Sequence, residues 1–305
     1  MNRNPVALQT EGPSRYYTLD EVYKRLRLWG FDAADANLNI LLPKNRIFRR
    51  DIPEILVSGS GIKELFEPWR KASLESGILN AQAHAPYPSW LPLMGKTNAA
   101  LIEVFKNMLR GCDHIGCRKL IVHPFYAGPS LRLAKPFEHR RNIEAFSKLI
   151  PTAKRYGVSI CLENMFSRGF TKKLHPACCA DPKEAAVYID ELNALAGEET
   201  FGFCFDTGHA NICKTDVRSA LVFLGRRVKA LHIHDNDGVR DQHLAPHMGT
   251  ADWDAFAAAL KEIRYSGAVS FETHKLWYVL QRDETDRQMR LLSELGRSFA
   301  EGIDA

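Results

Sequence analysis

The chain has 305 residues, 45% of them apolar and 25% charged, with a formal net charge of +5. This is the composition of a globular protein, long for one compact core and ordinary for a single α/β barrel. So mild a basic excess is explained by solvated helix faces rather than a nucleic-acid partner, and the absence of any run of 18 or more apolar residues excludes a membrane-spanning helix.

The opening "MNRNPVALQTEG" lacks an apolar core followed by a cleavage site, so no signal peptide is expected. Seven cysteines are scattered without framework spacing: Cys161 and Cys204 lie in apolar runs, and the adjacent Cys178 and Cys179 are poorly placed to pair with each other. That usage suits free thiols in a reducing cytoplasm.

Along the chain, short apolar runs alternate with helical patterns. A first strand is expected at 5–9, after which Thr18-Leu-Asp-Glu21 forms a capping box opening a helix that Gly30 follows. A second strand at 31–37 leads into a long, partly basic connection at 38–60. Helices near 61–76, 97–115 and 138–156 precede strands at 78–85, 119–125 and 158–164, respectively after the first, second and third of them. Helices near 183–196, 216–226 and 252–265 alternate with strands at 201–207, 228–235 and 268–273, and a last helix is expected near 284–300. Gly77, Gly116, Gly157 and Gly267 stand just ahead of strands, where glycine supplies a left-handed helix stop at low steric cost.

Eight strand–helix units predict an α/β fold, a single (β/α)8 TIM barrel spanning 1–305 as one domain. A doubly wound open sheet would want a Gly-rich phosphate loop after its first strand. "QTEGPSRYY" offers none, and no nucleotide cofactor is expected.

The strands end in polar residues: Gln82 and His84 on the third, His123 on the fourth, Glu163 on the fifth, Asp206 on the sixth, His232 and His234 on the seventh, Glu272 on the eighth. In such a barrel the C-terminal strand ends form one mouth that carries the chemistry. Residues two apart on a strand share a face, so His232 and His234 point the same way. A single histidine of this kind is more often a satisfied core or surface residue than a ligand. Their recurrence at one end of strand after strand argues for a site. Imidazoles and carboxylates without a Cys cluster suit Zn, Mn, Co or Fe(II) rather than a thiolate zinc site.

The ordered motifs are "AQAHAPY" (81–87), "IVHPF" (121–125), "CLEN" (161–164), "CFDTGHA" (204–210), "LHIHD" (231–235), "DQH" (241–243), "GTADW" (249–253) and "SFET" (270–273). Together they resemble the sugar phosphate isomerase/epimerase family of xylose isomerase-like barrels, the superfamily that also contains endonuclease IV. The resemblance implies one divalent ion (Mn, Co, Mg or Zn) held by Glu163, Asp206, His232 and Glu272. It further implies that Glu163 and Glu272 shuttle protons next to a substrate carbonyl, for isomerisation or epimerisation of a sugar, sugar phosphate or cyclitol. His84, His123, His209, His234 and Arg240 are carried over as substrate contacts, although Arg240 lies two residues further from His232 than in epimerase members. His234 also fits a residue that orients a ligand, or a general acid–base group near neutral pH.

The same enolate chemistry, with a leaving group beta to the carbon, would make a lyase or dehydratase acting on an oxidised sugar or keto-glycoside. Endonuclease IV uses nine residues to hold three zinc ions for phosphodiester hydrolysis on abasic DNA. Matching types stand here at His84, His123, Glu163, Asp206, His209, His232, Asp241, His243 and Glu272, so Asp241 and His243 are candidate further metal ligands. The second strand, "GFDAADANLNI", resembles the "G-[FY]-D-x-x-[DE]" of sugar-isomerase members and favours a small carbohydrate substrate over nucleic acid. No basic stripe with interleaved aromatics stands out, and "KNRIFRR" (44–50) fits a solvated loop or a substrate-phosphate contact equally well. His247, His274, Trp90, Trp253 and Trp277 are weaker candidates for the mouth, Trp253 reading better as a staple for its helix. Residues that choose the reaction are expected in the loops 38–60, 86–97, 125–137 and 165–180. Relatives often form dimers or tetramers, which leaves a homo-oligomer as an expectation.

Overall fold

The computed structural model describes residues 4–125, 135–169, 172–278 and 282–304. It opens with β1 (Val6–Gln9), α1 (Leu19–Trp29), β2 (Ala33–Asn37), α2 (Lys44–Phe48), α3 (Glu54–Ser58) and α4 (Ile62–Ser76). Then come β3 (Leu79–His84), α5 (Gly95–His114), β4 (Lys119–Val122), α6 (Lys135–Ser147), α7 (Ile150–Tyr156) and β5 (Ser159–Glu163). A hairpin of β6 (Phe166–Arg168) and β7 (Leu174–Pro176) is followed by α8 (Pro182–Ala196), β8 (Phe201–Asp206), α9 (Thr207–Ile212) and α10 (Val217–Leu224). The chain finishes with β9 (Val228–His232), α11 (Trp253–Glu262), β10 (Val269–Phe271) and α12 (Arg282–Asp304).

Eight parallel strands pair in the order β10-β1-β2-β3-β4-β5-β8-β9. The circle closes where Ile233 bridges Phe271, with the Ile233 amide donating to the Ser270 carbonyl at 2.8 Å and Glu272 N to Ile233 O at 3.0 Å. This is the (β/α)8 TIM barrel that the alternation of elements predicts. Among the described residues no helix is long and apolar enough to cross a membrane.

Strand alternation divides the core in two. Outward residues such as Leu8, Ile160, Leu162, Phe203, Phe205 and Phe271 belong to the large cluster packed under the helices. Inward residues are small apart from Ile121: Ile121, Cys161, Cys204 and Ala230 form one internal cluster, and Ala7, Ala33 and Ala268 another. Burial on both faces makes these strands read as nearly continuous apolar runs. Two residues further along, on the same inward face, stand Glu163, Asp206 and His232 in the first group, and Gln9, Asp35 and Ser270 in the second. The polar layer thus follows directly from the strand period.

Three expectations change. Gly267 is not a left-handed helix stop; after α11 that conformation falls on Arg264, at φ +50°. The helix expected near 138–156 is two helices, α6 and α7, because Pro151 cannot donate within a continuous helix and instead sits in the first turn of α7. The connection at 38–60 is not irregular: it folds a 3-10 turn at Leu38–Ile40 and the short helices α2 and α3. The capping box forms, with Thr18 N donating to Glu21 Oε2 at 2.8 Å, and Gly30 takes the left-handed conformation at φ +89°.

Candidate active site

The strand ends open into a cavity of about 800 Å³. Glu163, Glu272, His84, His123, His209, Asp241, His243 and His274 line it, while Asp206, His232 and His234 lie beneath the lining at 0% exposure.

At the centre, His232 Nδ1 is 3.2 Å from Glu163 Oε1 and 3.5 Å from Glu272 Oε2. The other ring nitrogen, Nε2, lies 3.1 Å from Asp35 Oδ2. Glu163 Oε2 is 3.1 Å from His123 Nε2, and His123 Nε2 is 3.0 Å from His84 Nε2. Glu272 Oε1 accepts from Gln9 Nε2 at 2.6 Å.

Asp206 is placed by the helix it starts. One carboxyl oxygen caps α9, accepting from His209 N at 2.6 Å, while the carboxyl group as a whole sits 3.0 Å from His234 Nε2. Asn164 clasps its backbone from both sides, donating to Asp206 O and accepting from Asp206 N, each at 2.8 Å. His209 Nδ1, 2.8 Å from Asn164 O, bridges the two halves of the site: it is 3.5 Å from Glu163 Oε1 and 3.8 Å from Asp206 Oδ1. On the far side His243 Nε2 is 3.1 Å from Asp241 Oδ2, and its ring stacks at 3.9 Å on His234.

These neighbours set the protonation of the groups. Burial opposes the charge on Glu163, but His232 and His123 beside it hold its carboxyl well below the usual range. Burial, with Glu163 and Asp206 nearby, drives Glu272 the other way, well above that range. Burial pushes His84, next to His123, and His243, next to His234, each down to about 4. Burial opposes the charge on His234 as well, but contact with Asp206 pushes it up to about 9.

The donor chemistry fits a divalent ion. Ligand atoms of His84, His232 and Glu272, and those of Asp206, His209 and His234, lie within 4.8 Å of one another in each set. Among the described residues, His123 Nδ1 and His234 Nδ1 are buried without a hydrogen-bond partner, which leaves polar atoms for an ion or a substrate to satisfy. Neutral imidazoles and ionised carboxylates are the forms that bind metal.

Arg240 is not brought to the site. It is exposed, and its guanidinium folds back on Asp237, with Nε donating to Oδ2 at 2.7 Å. The chain turns between Asp237 and Arg240, where Asp237 Oδ1 also accepts from the Val239 and Arg240 amides. His247 is exposed, Trp277 packs against Trp29, and Trp253 begins α11 with its Nε1 donating to Asp235 Oδ2 at 2.9 Å. Trp90 stacks on Phe125. Of the loops expected to choose the reaction, 126–134 and 170–171 lie outside the described residues.

Three residues around the site are not singled out from the sequence: Gln9, Asp35 and Asn164. Gln9 carries the same signal as the others, a polar residue at the end of a buried strand, whereas Asp35 is a charged residue in the middle of one.

The family model for xylose isomerase-like TIM barrels matches residues 47–295. An inosose isomerase from Bacillus velezensis is 26% identical over 201 residues, covering 64% of this chain and 67% of that one. The solved 3-keto-D-glucoside 4-epimerase YcjR from E. coli superposes with a TM-score of 0.73 at 16% identity, covering 97% and 100% of the two chains. The IOLI protein, solved with a bound zinc atom, gives 0.72 at 18% identity and 98% coverage of each. At those identities the structural likenesses speak for the fold; the family match speaks for the lineage. This chain belongs to the xylose isomerase-like TIM barrel family.

Proposed function

We propose that this chain is a divalent-metal-dependent isomerase or epimerase of sugars, sugar phosphates or cyclitols that works by removing a proton next to a carbonyl. The observation that carries the reading is the meeting of Glu163 and Glu272 at His232 Nδ1, on the floor of an open cavity. Glu163, Asp206, His232 and Glu272 would hold the ion, and a bound Mn, Co, Mg or Zn would polarise the carbonyl and stabilise charge on its oxygen.

The chain's own groups supply the proton traffic. Glu163 and Glu272, which meet at His232 Nδ1, are placed for one to accept a proton from carbon and the other to return one. His84, His123 and His209 offer ring nitrogens along the cavity for substrate hydroxyls. The Phe166 ring, 4.8 Å from His209, gives the wall an apolar face. The inosose isomerase relative and the keto-glucoside epimerase neighbour support a carbohydrate substrate.

The test is turnover in deuterated water on ketoses, inososes and oxidised glycosides, with deuterium located in the product. E163Q and E272Q should each lose about 10²–10⁴-fold in rate. Full activity in both variants would sink the mechanism. A product that has lost a beta substituent would mark the lyase branch of the same chemistry.

A second reading is favoured by one observation: further sets, His84–His123–Glu163 and His234–Asp241–His243, flank the central pair. Mass spectrometry of protein purified without chelator separates the two readings. About one ion per chain supports the isomerase; close to three zinc ions would turn attention to phosphodiester hydrolysis, with abasic DNA as the first substrate.

A further inference from the structure

We infer that Asp35 is the positioning residue for His232. It holds the Nε2 edge of the imidazole so that Nδ1 presents its lone pair to Glu163 and Glu272. The inference rests on the reading of His232 as a metal ligand.

Asp35 is 0% exposed in the middle of β2. Its Oδ2 lies 3.1 Å from His232 Nε2, and accepts from Gln82 Nε2 at 2.7 Å and from Ser270 Oγ at 3.2 Å. These partners come from β9, β3 and β10, so one carboxyl oxygen ties together side chains from four strands of the barrel. Gln82 is aimed in turn by its bond to the Leu231 carbonyl, 3.1 Å away and next to His232 in sequence.

The local backbone makes this convergence. The register of β2 against β3 shifts between Ala34 and Asp35, a bulge that sets Gln82 opposite Asp35. Bulges commonly re-aim a side chain beside a site. Below Asp35 on the same face is Ala33, part of the small-residue layer, and the small side chains there leave room for the polar layer above.

The consequence for His232 follows from imidazole chemistry. A nitrogen facing a carboxyl oxygen that already takes two donors is the protonated one, and the opposite nitrogen then carries the lone pair. A ring flip would put carbon against Asp35 and forfeit a buried hydrogen bond. The His84 ring, nearly parallel at 17° with centroids 5.5 Å apart, stacks against the plane. Tautomer and orientation are therefore set together, with Nδ1 as the ligand atom. A purely structural ion pair would instead keep a proton on Nδ1 as well, donating to Glu163 at 3.2 Å, and a protonated Nδ1 in the zinc-loaded protein would overturn the inference.

The test uses the full chain loaded with zinc. In ¹H–¹⁵N NMR of histidine-labelled protein, His232 should show a protonated Nε2 and a ligated Nδ1; ligation through Nε2 overturns the inference without any variant being made. Calorimetry with zinc should then show a loss of about 10–100-fold in affinity in Asp35→Asn, with an unchanged far-UV circular dichroism spectrum. Equal affinity in wild type and Asp35→Asn overturns the positioning role and leaves the metal site standing. A wild-type chain that takes up no zinc and no other divalent ion overturns the metal reading itself, and this inference with it.

Discussion

Gln9 Nε2 donates to Glu272 Oε1 at 2.6 Å, fastening the end of the first strand to the end of the last. Gln9 is 2% exposed, lines the cavity, and among the described residues its Oε1 has no partner. One end of the amide thus orients a candidate proton carrier while the other is buried without a partner. Gln9→Leu keeps the approximate volume and removes the bond to Glu272. Turnover should fall about 10–100-fold, the range for losing a group that orients a site residue. Steady-state kinetics on the substrate found by the deuterium screen checks it, and unchanged kcat/KM would reject a role for Gln9.

Filling the proposed metal site should stabilise the protein. Glu163, Asp206 and Glu272 are all buried, and burying carboxylates without compensation is costly. An ion that binds only the folded chain stabilises it by about 4.1 kcal/mol when present at a thousand times its Kd. Chelator-treated protein should therefore gain several degrees in Tm on addition of Mn, Co or Zn. A Tm indifferent to every divalent ion tried would argue against a metal centre.

Much of this arrangement is legible in the sequence because a buried parallel strand leaves little freedom. An apolar run bounded by glycine, such as "VSICLEN" after Gly157, can be placed within a residue or two, and its period of two assigns Glu163 to the same face as Cys161. The hairpin β6–β7 is not legible: three residues a side are too few to show alternation. Helix α9 is hidden for a related reason, since its six residues begin inside what reads as the end of a strand and depend on the Asp206 cap. The fate of Arg240 turned on a side chain at Asp237, three residues away, which no spacing rule anticipates.

Asp235 secures the loop that follows the histidine strand. Its Oδ1 accepts from Asn236 N at 2.8 Å and Ala251 N at 3.1 Å, and its Oδ2 from Gly249 N and Trp253 Nε1, both at 2.9 Å. Asp235→Asn must turn its amide group toward two of those donors whichever way it is flipped. Leaving buried donors unpaired costs about 1–3 kcal/mol each, so a loss of about 3 kcal/mol is expected. Urea unfolding should show a lower midpoint at unchanged m. A variant as stable as wild type would mean the loop is held by other contacts.

Gly208 sets two effects against each other. It lies in the first turn of α9, where alanine would be favoured over glycine by up to about 1 kcal/mol on helix propensity alone. A Cβ there would sit 1.9 Å from His234 Cε1 and 2.3 Å from its Nδ1. The ring cannot simply swing away: Asp206 holds its Nε2 at 3.0 Å, and His243 stacks on it at 3.9 Å. Overpacking of this kind typically costs about 1–3 kcal/mol, so packing outweighs propensity and Gly208→Ala should be destabilising. Displacement of His234 should also loosen Asp206 and lower divalent-ion affinity. Thermal unfolding and calorimetry on the same preparation check both outcomes. A stabilised Gly208→Ala with unchanged ion affinity would show that His234 is not held where the structure has it.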